Sequence, residues 1–69
     1  MNVGETWRVF YQKDNQNNRR FHVRAIVDGG IVVSRTWSRS HQCWRYNCEP
    51  LDYFEYMIER GWLKKVKSA

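Results

Sequence analysis

The stretch Phe21 to Trp37, FHVRAIVDGGIVVSRTW, restricts the fold more than any other part of the chain. Two runs rich in β-branched residues flank Asp28-Gly29-Gly30. Asp-Gly or Gly-Gly between apolar runs is the strongest short-range hairpin signal, because a primed turn needs positive φ at its centre and glycine reaches it without steric cost. A β-hairpin is expected here, and the rest of the chain must be placed against it. Its first arm, Arg20 to Val27, alternates: Phe21, Val23, Ala25 and Val27 share one face, the natural core side, and His22, Arg24 and Ile26 share the other. The second arm, Ile31 to Trp37, begins apolar on both faces, which leaves its register open. Either Arg35 and Trp37 point outward, or Ser34 and Thr36 do.

The flanks supply the other elements. Thr6 to Tyr11, TWRVFY, has the period-two pattern and residue types of a strand. Gln12 to Asn18, QKDNQNN, reads as a loop, since Asn and Asp side chains bond their own backbone. Ser38 to His41 reads as a turn, and Gln42 to Cys48, QCWRYNC, as a fourth strand with Trp44, Tyr46 and Cys48 toward the core and Cys43, Arg45 and Asn47 outside. Pro50 suits the start of a helix, where its missing N–H costs nothing. Leu51, Phe54, Ile58 and Trp62 then recur at helical spacing, with Tyr53 and Met57 widening the stripe. Gly61 suits the residue after the helix. Lys64 to Ala69 forms a short last strand or a tail.

The expected fold is α+β and mainly β, one domain over residues 1–69. A small curved antiparallel sheet of four to five strands, either an SH3-like or Tudor-like barrel or a meander, carries one C-terminal helix. A chain of 69 residues buries only about 60% of its unfolded surface. Four Trp, four Tyr and three Phe offset this, since aromatics bury roughly 150–250 Å² each. No apolar run approaches the ~20 residues of a membrane span. MNVGETWR lacks the apolar core of a signal peptide. The expectation is a cytoplasmic protein with reduced thiols, and no membrane partner.

The net charge of +5 is unevenly distributed. Eight basic residues between Arg8 and Arg45 face only Asp14 and Asp28, whereas Glu49 to Arg60 is acidic and the tail is basic again. The outward sheet face would hold Arg8 and Phe10, His22 and Arg24, Arg45, and, if the register allows, Arg35 and Trp37. Arginine forks onto phosphate, and rings stack on bases. Arg19, Arg20 and Arg39 from the loops would add phosphate contacts. Phosphate contacts position a ligand without reading sequence, so little sequence preference is expected. No element matches the aromatic ribonucleoprotein motifs or a helix-turn-helix. The competing reading of the same face is an ordinary solvated surface.

Three other constellations are weaker. His22, His41, Cys43 and Cys48 could complete a tetrahedral zinc site, but the spacing is no C-x-x-C knuckle and His22 must come from another strand. A buried cysteine acting as a small hydrophobe is the plainer reading, and no cofactor is expected. His22 and His41 with Tyr11 or Tyr46 could serve metal-free RNA cleavage, which needs a base, an acid and a phosphate clamp. The helix face of Asp52, Glu55, Tyr56 and Glu59 could mimic phosphates; ordinary helix solvation explains it as well. None of these makes the chain an enzyme.

The run Asn15 to Asp28, followed by VVSRTWS and CWRY, resembles short uncharacterised accessory proteins of bacteriophages and prophages. The resemblance covers most of the chain and transfers no catalytic residue. It implies an accessory role inside a bacterial host cell. The expected function is a small basic non-enzymatic module that binds DNA or RNA. The alternatives are a phage-encoded inhibitor of a host protein or defence complex, of the anti-CRISPR type, that binds an acidic protein surface, and a small metal-free ribonuclease. A homodimer through an exposed strand edge is compatible with each.

Overall fold

The structure, a computed structural model, describes residues 1–10 and 19–69. The order is β1 (Thr6–Val9), β2 (Arg20–Val27), β3 (Ile31–Ser38), β4 (Cys43–Pro50), α1 (Leu51–Glu59) and β5 (Leu63–Lys67). All strand pairs are antiparallel, and the spatial order is β4-β3-β2-β1-β5. The two ends of this order do not pair, so the sheet is open rather than a barrel. Tyr11 and the Gln12–Asn18 loop lie outside the described residues, and β1 ends at Val9.

The hairpin forms where the glycines predict it. Asp28 and Gly29 have φ of 52° and 68°, and the Gly30 N–H donates to the Val27 carbonyl at 3.0 Å. Ladder spacing then sets the faces. Val23 opposes Ser34, but Ala25 opposes Val33, so Arg24 is an extra residue in β2. Such a bulge reverses the alternation beyond it. Phe21 and Val23 are buried as expected. After the bulge it is Ile26, opposite Val32, that packs on the core, while Ala25 and Val27 turn to the other face and Val27 is 47% exposed.

The core is Trp7, Phe21, Val23, Val32, Phe54, Met57 and Leu63, formed between one sheet face and α1. Phe21 and Phe54 meet with ring centroids 5.5 Å apart. The helix ends as Gly61 predicts. Its φ is 78°, its N–H donates to the Ile58 carbonyl at 3.0 Å, and the Trp62 N–H donates to the Met57 carbonyl at 2.9 Å. That is a Schellman cap, and the Trp62 ring closes it against Tyr56 at 5.8 Å. The cap turns the chain so that β5 can reach β1, where the Phe10 N–H donates to the Trp62 carbonyl at 2.6 Å. Glu5 is buried at 4% exposure and accepts from the Asn2 N–H at 2.8 Å and the Trp7 indole N–H at 3.1 Å.

The fourth strand corrects the sequence reading. Trp37 opposes Trp44, Arg35 opposes Tyr46, and Val33 opposes Cys48, whereas Thr36 opposes Arg45, Ser34 opposes Asn47, and Val32 opposes Glu49. Val32 and Ser34 are buried on the helix side. Trp44, Tyr46 and Cys48 therefore lie on the face away from the helix, and Cys43, Arg45 and Asn47 lie on the helix side. The reason is that β4 is an edge strand with all eight residues exposed. An edge has no full core face to claim its aromatics, and these pack against Trp37 across the strand pair instead. The same ladder resolves β3: Arg35 and Trp37 face outward.

Candidate nucleic-acid interface

Following the ladders across the sheet identifies the charged and aromatic residues on its outer face. β1 contributes Thr6 and Arg8, opposite His22 and Arg20 of β2 and Lys67 and Lys64 of β5. The bulge leaves Arg24 exposed beside Ala25. β3 contributes Arg35 and Trp37, and β4 contributes Trp44 and Tyr46. Six cationic side chains (Arg8, Arg20, Arg24, Arg35, Lys64 and Lys67) thus share this face. No strand residue on it is acidic: Glu5 is on the core side with Trp7, and Glu49 is on the helix side opposite Val32.

The aromatic part is a built cluster. Trp37 and Trp44 meet edge to face with centroids 5.3 Å apart, and His22 also meets Trp44 edge to face at 5.6 Å. The Arg35 guanidinium lies 4.1 Å from the Trp44 ring centroid, and its Nη1 donates to the Tyr46 hydroxyl at 3.5 Å. Trp37–Trp44 and Arg35–Tyr46 are directly opposed pairs, about 4.5–5.5 Å apart at Cβ, Arg35 reaches Trp44 along the diagonal, and His22 reaches it across β3. The rings remain accessible, with Trp37 46%, Trp44 37% and Tyr46 57% exposed. At the other end of the sheet, Phe10 is flanked by Arg8 at 5.2 Å and Lys64 at 5.6 Å.

His22 reports the field of this face. Its Nδ1 is 2.9 Å from the Thr6 hydroxyl. Partial burial, and then the charges of Arg35, Arg24, Arg20 and Lys67, push its pKa below the usual histidine value. Burial first, and cations on three strands second, favour the neutral imidazole. Desolvation and like charge both disfavour the protonated form. An anion bound to this face would reverse the second effect.

The other sequence candidates separate. Arg45 lies on the helix side, where with Arg19, Arg39, Ser34, Thr36 and His41 it lines an open groove that also contains Glu49, Tyr53 and Phe54. Arg19 and Arg39 flank the strand ends rather than the outer face. His41 sits in the β3–β4 turn with Nδ1 3.1 Å from the hydroxyls of Ser38 and Ser40. It belongs to a different element from His22 and has different partners. Cys43 and Cys48 are both free and exposed, so Cys48 is not the core residue expected from the sequence, and the two lie on opposite faces of β4. Among the described residues, no three His, Cys, Asp or Glu side chains are grouped closely enough to hold a metal ion. Asp52, Glu55 and Glu59 line the exposed face of α1.

Trp44, Tyr46, Lys64 and Lys67 were not among the residues expected at this face. For the two lysines the sequence signal was present, since an alternating basic strand paired with β1 must share a face with Arg8. For the β4 aromatics the signal pointed the wrong way. The fold and this face define a small, mainly β, α+β domain with one strongly basic, aromatic sheet surface. No protein-family model, curated protein or solved structure matches the chain. Among the described residues, no helix is long and apolar enough to cross a membrane.

Proposed function

We propose that the chain is a non-enzymatic binding module that holds single-stranded nucleic acid on the outer face of its sheet. The observation that carries this is the composition of that face: six cations and three exposed rings with no strand carboxylate among them. Trp44, Tyr46 and Trp37 offer the bases stacking surfaces, each stacked base contributing about 1–3 kcal/mol. Arg8, Arg20, Arg24, Lys64 and Lys67 extend from them across β2, β1 and β5 as phosphate contacts. Arg35 is already laid on Trp44, so its planar fork is pre-oriented at little further entropic cost. A sheet whose aromatics stack two or three bases is an established way to hold a single strand. A duplex would leave the rings unused. The rings and guanidinium fork carry no base-edge pattern, so sequence preference is weak. The resemblance to phage accessory proteins supports a reading in which this activity is exercised in the cytoplasm of a bacterial host.

The second reading is an inhibitor that docks the same face on an acidic host protein. The observation favouring it is that Trp, Tyr and Arg clustered on one patch are the residue types that dominate protein interfaces. Titrating the intrinsic tryptophan fluorescence with oligonucleotides at two salt concentrations separates the readings. Salt-sensitive quenching by a single strand, with weaker binding of the duplex, is expected. No change in fluorescence at low salt removes nucleic acid and leaves the protein partner.

A further inference from the structure

The two edges of the sheet are built differently. β5 carries Lys64, Lys65 and Lys67, and a bulge interrupts its pairing with β1. Lysines and bulges are the usual protection of an edge against pairing with another chain. β4 has neither: its eight residues pair with β3 in one unbroken register, all are exposed, and its only proline is the last residue.

Which main-chain groups β4 offers follows from one hydrogen bond. The Leu51 N–H donates to the Gly30 carbonyl at 2.8 Å, in the same register as the β3–β4 ladder. Amide groups alternate between the two sides of a strand. Residues 43, 45, 47 and 49 therefore bond to β3, and Trp44, Tyr46 and Cys48 direct their N–H and C=O groups outward. Pro50, which has no N–H, falls on the outward side, where that absence costs no ladder bond.

An antiparallel pair of identical strands about a two-fold axis can be centred on any residue, and the charges of β4 choose among the registers. Its only charged residues are Arg45 and Glu49. Centring on Arg45 sets that residue against itself. Centring on Tyr46 leaves Arg45 opposite Asn47. Centring on Asn47 places Arg45 opposite the partner's Glu49 twice, both on the helix side, and opposes Tyr46 to the partner's Cys48 through their outward amides. We propose that β4 docks on β4 of a second copy of this chain, antiparallel, with the two-fold axis at Asn47. The outer faces then form one continuous surface, with Trp44 and Tyr46 of both copies beside the axis. The pairing itself does not depend on what that surface binds.

The register is testable by cross-linking. Asn47 meets its own copy as a pair without mutual hydrogen bonds, about 4.5 Å apart at Cα, which is within disulfide range. Tyr46 meets its own copy diagonally, at about 8 Å, which is beyond that range. In a Cys43→Ser, Cys48→Ser background, Asn47→Cys should oxidise to a covalent dimer on a non-reducing gel, and Tyr46→Cys should not. By sedimentation equilibrium the native chain should be a dimer. Tyr46→Pro, which loses the ring and an outward N–H but no β3–β4 ladder bond, should be a folded monomer by circular dichroism, whereas Tyr46→Ala, which loses the ring and keeps the N–H, should remain a dimer. Arg45→Glu should weaken the dimer about tenfold, and adding Glu49→Arg should restore it, because each exchange acts on two symmetric pairs. A native chain that sediments as a monomer at the highest attainable concentration overturns the proposal. So does cross-linking through Tyr46→Cys at least as efficient as through Asn47→Cys.

Discussion

If the outer face binds a single strand, substitutions on the two sides of the sheet must separate in their salt dependence. The face holds six cations, and each phosphate neutralised on a single strand contributes about 0.7 to the slope of log affinity against log salt. Full engagement gives a slope of about −4.2, or roughly a 300-fold loss of affinity between about 50 mM and 200 mM salt. Arg8→Gln with Arg24→Gln removes two of the six. Neither side chain belongs to the Trp44 cluster, so the rings stay in place. The slope should fall to about −2.8 and the same salt step should cost roughly 50-fold. Arg19→Gln with Arg39→Gln removes the same charge from the groove side and serves as the matched control. Its slope should remain near that of the native chain. Fluorescence anisotropy of a labelled oligothymidine at five salt concentrations measures both. An unchanged slope in the Arg8, Arg24 variant together with a reduced slope in the Arg19, Arg39 variant would refute the assignment of the face.

Trp44→Ala removes the ring that orients Arg35 and contacts Trp37 and His22; oligonucleotide affinity should fall by about one stacked base, 1–3 kcal/mol, while the melting temperature moves by only a few degrees, since the ring is 37% exposed. Gly61→Ala meets no atom within 4 Å but must hold φ near 78°; the left-handed strain of about 1 kcal/mol should lower the melting temperature by roughly 4–8 °C in differential scanning calorimetry. Glu5→Ala strands the Trp7 indole N–H in a buried site and removes the partner of the part-buried Asn2 N–H, and denaturant titration should show a loss of about 1–3 kcal/mol. Because the folded pKa of His22 lies below its unfolded value near 6.5, the unfolded chain binds the proton first as the pH falls. The stability contribution is then complete above about 6.5 and is lost below it, down to the folded pKa. Melting temperatures at pH 7.5 and 5.5 should differ less in His22→Gln than in the native chain.

Local pattern alone was enough for the elements. Asp28-Gly29-Gly30 marks the hairpin because only residues tolerant of positive φ close such a turn, and β2 runs from Arg20 to Val27 as the alternation predicts. Pro50 and Gly61 bound the helix through conformational limits that need no partner. The concentration of arginine and aromatic residues between Arg8 and Tyr46 was likewise visible in the sequence, and with it the chemistry of the candidate surface.

The faces required the tertiary fold. A single unpaired residue, Arg24, reverses the alternation of β2 and exchanges Ile26 for Ala25 at the core, and no local signal distinguishes a bulge from a regular pair. Trp44 and Tyr46 looked like core residues because period-two alternation names two faces without saying which is buried. That choice depends on which strand lies at the edge and on where α1 packs, and both are set by contacts distant in sequence. The unbroken ladder between β3 and β4 then turns Trp37, Trp44, Arg35 and Tyr46 to one side, and the docking of β5 on β1 adds Lys64 and Lys67 to it. Residue types thus determined what the surface can bind, and long-range pairing determined that such a surface exists.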